Sequence, residues 1–521
     1  MKHTSVVNKK KSVSDLSKKK QLGFMSCIFV VIGACVGAGI FFKNGSILAN
    51  TQNSIILSIV CWLVAAAGVI AMALCLAEIV SGQKSQSNLG IAAWVKTFNA
   101  KYLYNSCKNF VAYIYTPIIL ISLAYYFVQA LFQGINPAQA PQWWIIMLIA
   151  LGVLLWFFFT SGLSVRFFNI QNWIIMSVKF IPIIFAFIIG YIYLGTGNAI
   201  ANPLLPEPPT GPSANTPLFS QLSPAFGVIA SIPAIFFAFN GFTFPANLTS
   251  DMKEPKKLPL TMTLGLIIVT IIYVGISVSI LIASPGGKVE GLQGWLSSHN
   301  LSWLYSVIYI LIAAGIMSVI NGTVVTGVKV YEELIVKHEI FLSHKFDALN
   351  KKYNGRPIGG VVYGTILTFI FFALCTVVGL FFANTGGLPA FFDKESQGIF
   401  SFVDIVSNWD ILFVFTFIGV AILGCLINRK THKVNVQKTG IFKPAAWVAL
   451  ILLGVSVLYL VVSVFADVGL SVHYAAEGLY SSDVKQTTLS TTFLSAGMLL
   501  VYIGVIFIPS WITKVRSAHK R

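Results

Sequence analysis

Long runs of apolar residues, separated by polar segments, dominate the chain. A helix that crosses the hydrocarbon core of a bilayer needs about 20 mostly apolar residues. Twelve runs have about this length, and they do not alternate apolar and polar residues as the strands of a membrane β-barrel do. The pattern predicts an all-α polytopic membrane protein with twelve transmembrane helices, at residues 24–42, 54–80, 108–133, 143–161, 171–195, 222–248, 258–284, 301–328, 359–383, 402–427, 444–466 and 491–513.

The composition agrees with a chain that lies mostly in lipid. Of the 521 residues, 56% are hydrophobic and 10% are charged, whereas a soluble domain carries about 25% charged residues. The seven cysteines form no C-x-x-C pair, and the seven histidines all lie in tails or loops. The sequence therefore predicts that the protein is not an enzyme, and that it has no catalytic residues, no metal site and no cofactor.

The net charge of +18 is distributed unevenly along the chain. If the amino terminus is cytoplasmic, thirty of the 35 Lys and Arg residues fall in cytoplasmic segments, which include the tails 1–23 and 514–521. Basic loops are retained on the cytoplasmic side of a membrane, so both termini are predicted to be cytoplasmic. The outer loops hold four basic residues, Lys43, Lys288, Lys394 and Lys485.

This distribution also bears on the partners of the chain. Positive charge spread over seven segments of one membrane face excludes nucleic acid as the partner and favours anionic membrane lipid. Lysine exceeds arginine by 30 to 5, and there are 41 phenylalanines. These counts suggest an AT-rich bacterial genome, and hence a bacterial cell membrane.

The first predicted helix contains three glycines, Gly33, Gly37 and Gly39, within seven residues. Each glycine costs a helix about 1 kcal/mol relative to alanine. A Gly33–Gly37 pair alone is typical of a packing face between helices. The segment Gly37-Ala38-Gly39, however, favours a break that exposes backbone N–H groups in the middle of the membrane.

The sixth predicted helix has similar features. It contains the interior prolines Pro224 and Pro233, and Asn240-Gly241 is a turn pair within it. Interior prolines remove backbone hydrogen bonds, and an Asn-Gly pair favours a turn. These residues predict a second broken helix.

Broken helices at the first and sixth positions predict an inverted pair of five-helix repeats, because an odd number of helices reverses the orientation of a repeat. The predicted repeats are 24–195 and 222–427, and two further helices follow over 444–513. This arrangement is typical of a secondary transporter. Exposed N–H groups suit a carboxylate and unpaired carbonyls suit an ammonium group, so the predicted substrate is an α-amino acid.

Lys179 is the one basic residue predicted inside a span. It lies eight residues, roughly 12 Å, from the inner end of the fifth helix, near the limit for snorkelling. A buried lysine can gain and lose a proton, which favours a coupling role in transport. The alternative is a permanent charge bonded to unwound carbonyls of the first helix.

Several segments resemble the amino acid, polyamine and organocation (APC) transporter superfamily. The segment I-G-A-C-V-G-A-G-I-F, Ile32 to Phe41, resembles its first-helix motif. The segment A-F-F-A-F-N-G-F, read from Ala234 with Ile235 inserted, resembles its sixth-helix motif. The following N-L-T-S-D-M-K-E-P-K-K-L-P, Asn247 to Pro259, is similar to the loop after that helix, with Asp251 in place of the usual glutamate.

Two further segments bear on the resemblance. Gln171 to Phe180 is similar to a fifth-helix pattern that places a lysine, here Lys179, in the position of a sodium site. The usual P-x-x-G-G-x-Y after the second helix is replaced by S-Q-S-N-L-G-I, Ser85 to Ile91. The intracellular gate of the family is therefore not matched at this loop.

The resemblance implies a leucine-transporter-type fold, with a 5+5 inverted repeat and two extra carboxy-terminal helices. It also implies a substrate-binding segment in each broken helix. Backbone N–H groups of the first helix would bind the substrate carboxylate, and carbonyls of three phenylalanines of the sixth helix would receive the α-amino group. One of these phenylalanines would be an aromatic gate. Lys179 would replace sodium, which implies proton-coupled symport or exchange. The implied binding residues are Gly37, Ala38, Gly39, Phe236, Phe237, Ala238, Phe239 and Asn240.

The charges near the implied site favour an uncharged L-amino acid. Asp404 and Asp410 are expected to be hydrated, so we expect no deep carboxylate to pair with a cationic substrate side chain. We also expect no cation besides Lys179 to pair with an anionic substrate side chain. Two alternatives remain open: a cationic amino acid or polyamine exchanger of the same fold, and a membrane sensor or scaffold that binds an amino acid without transporting it.

Overall fold

The computed structural model describes residues 23–37, 39–83, 87–136, 141–207, 217–243, 252–254, 257–353, 356–382, 392–480 and 482–519. Most of these residues are helical, and no β-strand occurs among them. Within these ranges, eleven helical segments are long and apolar enough to cross a bilayer, and the shorter apolar helix Pro224–Phe239 corresponds to the remaining predicted span. The predicted all-α, twelve-helix fold is confirmed.

The helices are numbered here in chain order. They are α1 (Phe24–Cys35), α2 (Gly39–Phe42), α3 (Asn44–Asn50), α4 (Ile55–Ser81), α5 (Ile91–Phe98), α6 (Lys101–Phe110), α7 (Thr116–Ile135), α8 (Trp143–Thr160), α9 (Val165–Gly195), α10 (Leu218–Gln221), α11 (Pro224–Phe239), α12 (Leu258–Ala283), α13 (Gln293–Ser298), α14 (Ser302–Val336), α15 (Ser343–Lys352), α16 (Ile358–Gly379), α17 (Lys394–Thr431), α18 (Phe442–Ala476) and α19 (Ser482–His519). A π-helical turn, Val111–Tyr115, joins α6 to α7.

Several helices are longer than the apolar runs that predict them. The helix α17 covers Lys394–Thr431 where the apolar run covers 402–427, and α19 begins at Ser482 where the run begins at 491. An apolar run measures only the part of a helix that lies in hydrocarbon. Polar residues therefore continue these helices past the predicted ends.

The core of the bundle is formed by helices from both halves of the chain. The helix α14 packs along α7 and α9, α12 packs along α4 and α9, and α11 packs against α4. The last two helices cover one side, since α18 contacts α4 and α17, and α19 contacts α18 and α6. Large side chains such as Trp156, Trp173 and Ile184 are exposed, as expected of surfaces that lipid covers.

The first helix is interrupted where the glycines predict a break. The helix α1 ends at Cys35, Val36 is extended with φ −71° and ψ 109°, and helical structure resumes at Gly39. Lys43 separates α2 from α3. Ala38 lies outside the described residues.

The sixth helix is also interrupted, but at the turn pair and not at its interior proline. The helix α11 ends at Phe239, Asn240 has ψ 137°, and Gly241 has φ +102°. Pro233 lies inside α11, where its missing N–H removes one helix bond without ending the helix. The break therefore follows from Asn240-Gly241, because glycine adopts a positive φ at no steric cost. Residues 244–251 lie outside the described residues.

Candidate substrate site

The two helix breaks lie against each other. A Cβ atom added to Gly39 would lie 2.5 Å from the Cα of Ala238, and one added to Gly241 would lie 2.7 Å from the carbonyl oxygen of Ala34. Only glycine allows such an approach between backbones. The amino-terminal end of α2 therefore meets the carboxy-terminal end of α11, as the two sequence motifs predict.

The beginning of α2 presents backbone N–H groups. The first four N–H groups of a helix have no acceptor within the helix, and the first internal bond here runs from the Lys43 N–H to the Gly39 carbonyl, at 2.9 Å. A Cβ on Gly37 would lie 2.9 Å from the side chain of Val319 on α14. The N–H groups at this end form a partial positive charge that suits an anion.

The carboxy-terminal end of α1 is held by two side chains from other helices. In a continuous helix the Gly33 carbonyl would accept a hydrogen bond from the N–H of residue 37. Because residue 37 is no longer helical, the Gly33 carbonyl instead accepts a hydrogen bond of 2.6 Å from the Nζ of Lys179. The hydroxyl of Tyr273 lies 2.7 Å from the Cys35 carbonyl oxygen and 2.9 Å from that of Ala238. Tyr273 thus bridges the two broken helices.

The carboxy-terminal end of α11 presents carbonyl groups. The Asn240 N–H, which would bond to Phe236 in a continuing helix, donates instead to the Phe237 carbonyl at 3.2 Å. The Phe239 carbonyl accepts from the Phe242 N–H at 3.3 Å. The Phe236 carbonyl is thereby released from the helical pattern, and the Phe236 and Phe237 oxygens each keep a lone pair for a further donor. The Phe239 oxygen also accepts a hydrogen bond of 3.6 Å from the Sγ of Cys35.

The three phenylalanines of this segment have different surroundings. Phe236 is fully buried against Phe415, with 4.6 Å between ring centroids. The ring of Phe239 packs against those of Trp62 and Tyr273. Phe237 differs from both, because its ring contacts the ring of Tyr126 and the ammonium group of Lys43.

A small cavity adjoins the breaks. It has a volume of about 80 Å³ and is lined by residues of both broken helices together with Tyr115, Thr116 and Thr323. The hydroxyl of Tyr115 and the side chain of Asn240 are hydrogen-bonded at 3.2 Å. We call it the inner cavity, since it lies on the side of the breaks that the predicted topology makes cytoplasmic.

A larger cavity lies on the opposite side of the breaks. It has a volume of about 420 Å³ and its walls include Phe42, Tyr126 and Asp404. We call it the outer cavity. The rings of Phe42 and Tyr126 stack, with 5.2 Å between centroids. Aromatic side chains therefore lie between the outer cavity and the helix breaks.

Lys43, which the sequence places in an outer loop, lies at this same position between α2 and α3. It is fully buried, and its Nζ lies 2.5 Å from Asp404 Oδ1 and 2.7 Å from Asn408 Oδ1. The hydroxyl of Tyr126 also donates to Asp404. The sequence does not indicate this burial, because Lys43 and Asp404 are 361 positions apart and only the fold brings them together.

Two other acidic residues differ from expectation. Asp410, expected to be hydrated, is fully buried, and neither of its carboxyl oxygens has a hydrogen-bond partner among the described residues. A deep carboxylate is therefore present, contrary to the prediction. Glu78, near the end of α4 where a carboxylate is ordinarily solvated, is also fully buried and accepts two hydrogen bonds from Arg429, of 2.8 and 2.5 Å.

Polar residues of α14 divide into two groups. Ser318 donates to Asn172 at 3.4 Å and Asn321 donates to the Phe168 carbonyl at 3.2 Å, so both join α14 to α9. Thr323 instead lines the inner cavity. Ser318 and Asn321 therefore join two helices, and Thr323 faces a cavity.

The loop after α4 is anchored although it departs from the family motif. The hydroxyl of Ser87 donates to Glu333 on α14, and the Asn88 N–H donates to the same carboxylate at 2.5 Å. Lys337 pairs with Glu333 as well, at 2.5 Å. An acidic residue of α14 therefore holds this loop beside the inner cavity.

The structure brings most of the sequence-predicted residues together around the two breaks. Gly37, Gly39, Lys179 and the segment 236–240 all lie there, and Ala38 is outside the described residues. The sequence missed Tyr273, Lys43 and Asp404. No motif marks Tyr273, and its role is visible only from its two carbonyl contacts.

Two solved structures have a similar fold. The chain is similar to MhsT in complex with L-phenylalanine, with a TM-score of 0.54 and 16% identity over 83% of this chain and 97% of that chain. A manganese transporter of Eremococcus coleocola gives a TM-score of 0.51 and 14% identity over 95% of this chain and 94% of that one. The leucine-transporter-type fold implied by the motifs is confirmed.

Related sequences give the family. A protein of Mycoplasma pneumoniae is 33% identical over 97% of this chain and 95% of its own length. The serine/threonine exchanger SteT of Bacillus subtilis is 24% identical over 65% of this chain and 73% of its own length. The b(0,+)-type amino acid transporter 1 of Mus musculus is 23% identical, over 60% and 62% respectively. The model of the amino acid permease family matches residues 22–511, and the chain therefore belongs to the amino acid permease family, whose named relatives here are transporters.

Proposed function

We propose that the protein is a secondary active transporter that carries an uncharged L-amino acid across the cell membrane by alternating access. One observation carries the proposal: the N–H end of α2 and the carbonyl end of α11 meet at Gly39 and Ala238. The first suits a carboxylate and the second an ammonium group. An α-amino acid carries both groups on one carbon.

In this proposal the substrate backbone lies between the two breaks. The N–H groups of Gly37, Ala38 and Gly39 bind the carboxylate. Carbonyl oxygens of Phe236, Phe237 and Phe239 receive the α-amino group, and Ala238 and Asn240 complete the segment. Phe237 is the aromatic gate, because its ring is the one that faces Tyr126 on the side of the outer cavity.

The charges around the site support an uncharged side chain. Lys43 is compensated by Asp404, and Lys179 is engaged by the Gly33 carbonyl. Asp410 is not among the residues that line either cavity, so it does not offer a partner to a cationic substrate. The names of two similar proteins, a serine/threonine exchanger and a transporter in complex with L-phenylalanine, refer to uncharged amino acids.

Coupling is assigned to Lys179, which acts in proton symport or in exchange. Its ammonium group bonds to the end of α1, one turn before the N–H groups proposed to bind substrate. Loss of a proton would remove this charge-assisted bond, which is the stronger kind of hydrogen bond. The position of α1 would then depend on the protonation of Lys179.

Alternating access requires a closure on each side of the site. The outer closure consists of Lys43, Asp404, Tyr126 and Phe237. The inner closure is the anchoring of the loop after α4 to Glu333. In this proposal the protein spans the bacterial cell membrane with both termini in the cytoplasm.

The proposal is tested by uptake into proteoliposomes. A panel of labelled amino acids is offered with and without an imposed pH gradient, and with and without amino acids preloaded inside. Uptake driven by the gradient indicates symport, and uptake that requires preloading indicates exchange. Binding without uptake under both conditions would favour the sensor or scaffold alternative.

The same panel tests the second alternative, a cationic amino acid or polyamine exchanger. Polyamines have no carboxylate, so the N–H groups of α2 would contribute nothing to their binding. Arginine, lysine and a polyamine are therefore included as substrates and as competitors. Preferential uptake of the polyamine would contradict the proposed role of the first break.

A further inference from the structure

A carboxyl group that belongs to neither cavity lies within the membrane. Asp410 is near the middle of α17 and is fully buried. Neither carboxyl oxygen has a hydrogen-bond partner among the described residues. Burying an unpaired carboxylate is so costly that such a group is expected to bind a proton.

The surroundings of Asp410 contain titratable groups but no compensating cation among the described residues. It interacts electrostatically with Tyr115 at the end of the π-helical turn, Cys375 on α16 and Tyr502 on α19. Each of these groups is neutral when protonated, and the hydroxyl of Tyr502 also lacks a hydrogen-bond partner in the described part of the chain. Within the described ranges, no positive charge at this position stabilises an ionised Asp410.

The nearest charged groups on α17 are already paired. Asp404 bonds to Lys43, and Arg429 bonds to Glu78. Asp410 lies six residues from Asp404, roughly 9 Å along the helix. It is therefore separate from the outer ion pair, although both residues belong to one rigid helix.

Asp410 is connected to the candidate site through Tyr115. The hydroxyl of Tyr115 is hydrogen-bonded to Asn240 at 3.2 Å, at the break that ends α11. Tyr115 also lines the inner cavity. A change of charge on Asp410 would thus act on a residue that contacts both the break and the cavity.

We propose that Asp410 is a proton-binding site of the transport cycle, protonated in the conformation described here and deprotonated when the helices around α17 separate. The O–H bond of the carboxylic acid breaks and its proton passes to water in the opened cavity, and the carboxylate takes up one proton from water before it is buried again. This inference rests on the proposed function and adds a second proton-binding group to Lys179.

The test uses three variants of the full chain in proteoliposomes. Asp410→Asn keeps the shape of the protonated acid but binds no proton, and Asp410→Glu keeps the acid. Asp467→Asn is the matched control, because Asp467 is another carboxylate in a transmembrane helix but accepts a hydrogen bond of 2.6 Å from the Phe219 N–H. We expect accumulation driven by a pH gradient to fall to its equilibrium level in Asp410→Asn alone, while exchange continues.

A second readout does not depend on transport. Infrared difference spectra at varied pH report the C=O band of a protonated buried carboxylic acid. We expect wild type, Asp410→Glu and Asp467→Asn to share a component of this band that Asp410→Asn lacks, while any component from Glu290 is common to all four proteins. The proposal is overturned if the spectra of Asp410→Asn and wild type are the same in this region or if that variant still accumulates substrate against its gradient.

The two readouts separate the inference from the proposed function. If the wild type transports no amino acid but the band is lost in Asp410→Asn, the proposed function fails and proton binding at Asp410 stands. If the wild type transports and the band is absent, the inference fails alone. If Asp410→Asn does not fold, wild type and Asp410→Glu are compared instead. We then expect the carboxylic acid band of Asp410→Glu to appear at a different pH from that of wild type, and a band that appears at the same pH contradicts the assignment.

Discussion

The Nζ of Lys179 lies 2.6 Å from the carbonyl oxygen of Gly33, and this hydrogen bond joins α9 to the last turn of α1. Lys179 is almost fully buried. The carbonyl end of a helix carries a partial negative charge, so the lysine compensates the interrupted end of α1. Lys179 is thus one of two side chains, with Tyr273, that hold the interrupted end of α1.

Replacement of Lys179 tests whether this bond couples transport to protons. We expect Lys179→Ala to lose accumulation driven by a pH gradient while it retains substrate binding, because the N–H groups of α2 do not depend on the lysine side chain. Uptake with and without the gradient, together with binding to the purified protein, checks this. Lys345→Ala is the control, since Lys345 is exposed on α15. Concentrative uptake that persists in Lys179→Ala would remove the coupling role.

Replacement of Gly39 tests the contact between the breaks. A Cβ at this position would lie 2.5 Å from the Cα of Ala238, and neither backbone can move without separating the two helices. We expect Gly39→Ala to reduce kcat/KM for uptake by at least about tenfold, which corresponds to about 1.4 kcal/mol.

Gly152→Ala is the matched control for Gly39→Ala. Gly152 is also in a transmembrane helix, but a Cβ there would meet no atom within 4 Å. We expect it to transport like wild type. Equal activity of the two alanine variants would contradict the close approach of α2 and α11.

The pair Lys43 and Asp404 is tested by a double-mutant cycle. Asp404→Asn leaves the fully buried Lys43 without a compensating charge, and breaking a buried ion pair is strongly destabilising. We expect Asp404→Asn and Lys43→Met each to lower the thermal stability of the purified protein. The double variant should lose less than the sum, by about 0.5–3 kcal/mol. Additive losses would show that the two residues do not interact.

Glu290 gives a pH-dependent prediction outside the membrane-spanning helices. Its Oε1 accepts a hydrogen bond of 2.7 Å from Gln133, and burial raises the pKa of its carboxyl group above the ordinary value. The folded protein therefore binds this proton more tightly than the unfolded chain does. As a result, the free energy of unfolding falls as the pH rises from below the ordinary pKa of the unfolded chain to above the raised pKa of the folded protein.

The variant Glu290→Gln removes this titration and keeps the shape of the side chain. We expect it to be more stable than wild type at pH 8, and the difference to decrease as the pH falls to 5. Thermal unfolding of both proteins across this range measures the effect. A difference that stays constant with pH would show that Glu290 does not titrate in the folded state.

Local signals in the sequence predicted the helices and the breaks. The length of each apolar run reflects the thickness of the membrane. Gly37 and Asn240-Gly241 mark the positions at which the backbone leaves the helical conformation. Pro233 was misleading, because a helix tolerates the loss of one hydrogen bond. These features depend only on residues close together in the chain.

Contacts between distant segments could not be predicted in the same way. Lys43 follows a transmembrane helix and has the sequence features of an ordinary loop lysine, and its partner Asp404 is 361 positions away. Tyr273 bridges two carbonyls from separate helices, and the burial of Asp410 depends on α16 and α19 packing beside α17. Each depends on how helices meet, which the pattern of apolar residues does not specify.

Uptake of labelled amino acids into proteoliposomes measures directly whether the protein carries an amino acid across a membrane. We expect saturable uptake of an uncharged L-amino acid, driven by an inward pH gradient or by amino acid preloaded inside, and strongly reduced in Gly39→Ala but not in Gly152→Ala. Absence of uptake for every amino acid under both driving conditions, by protein that is folded and correctly inserted, would contradict the proposed function.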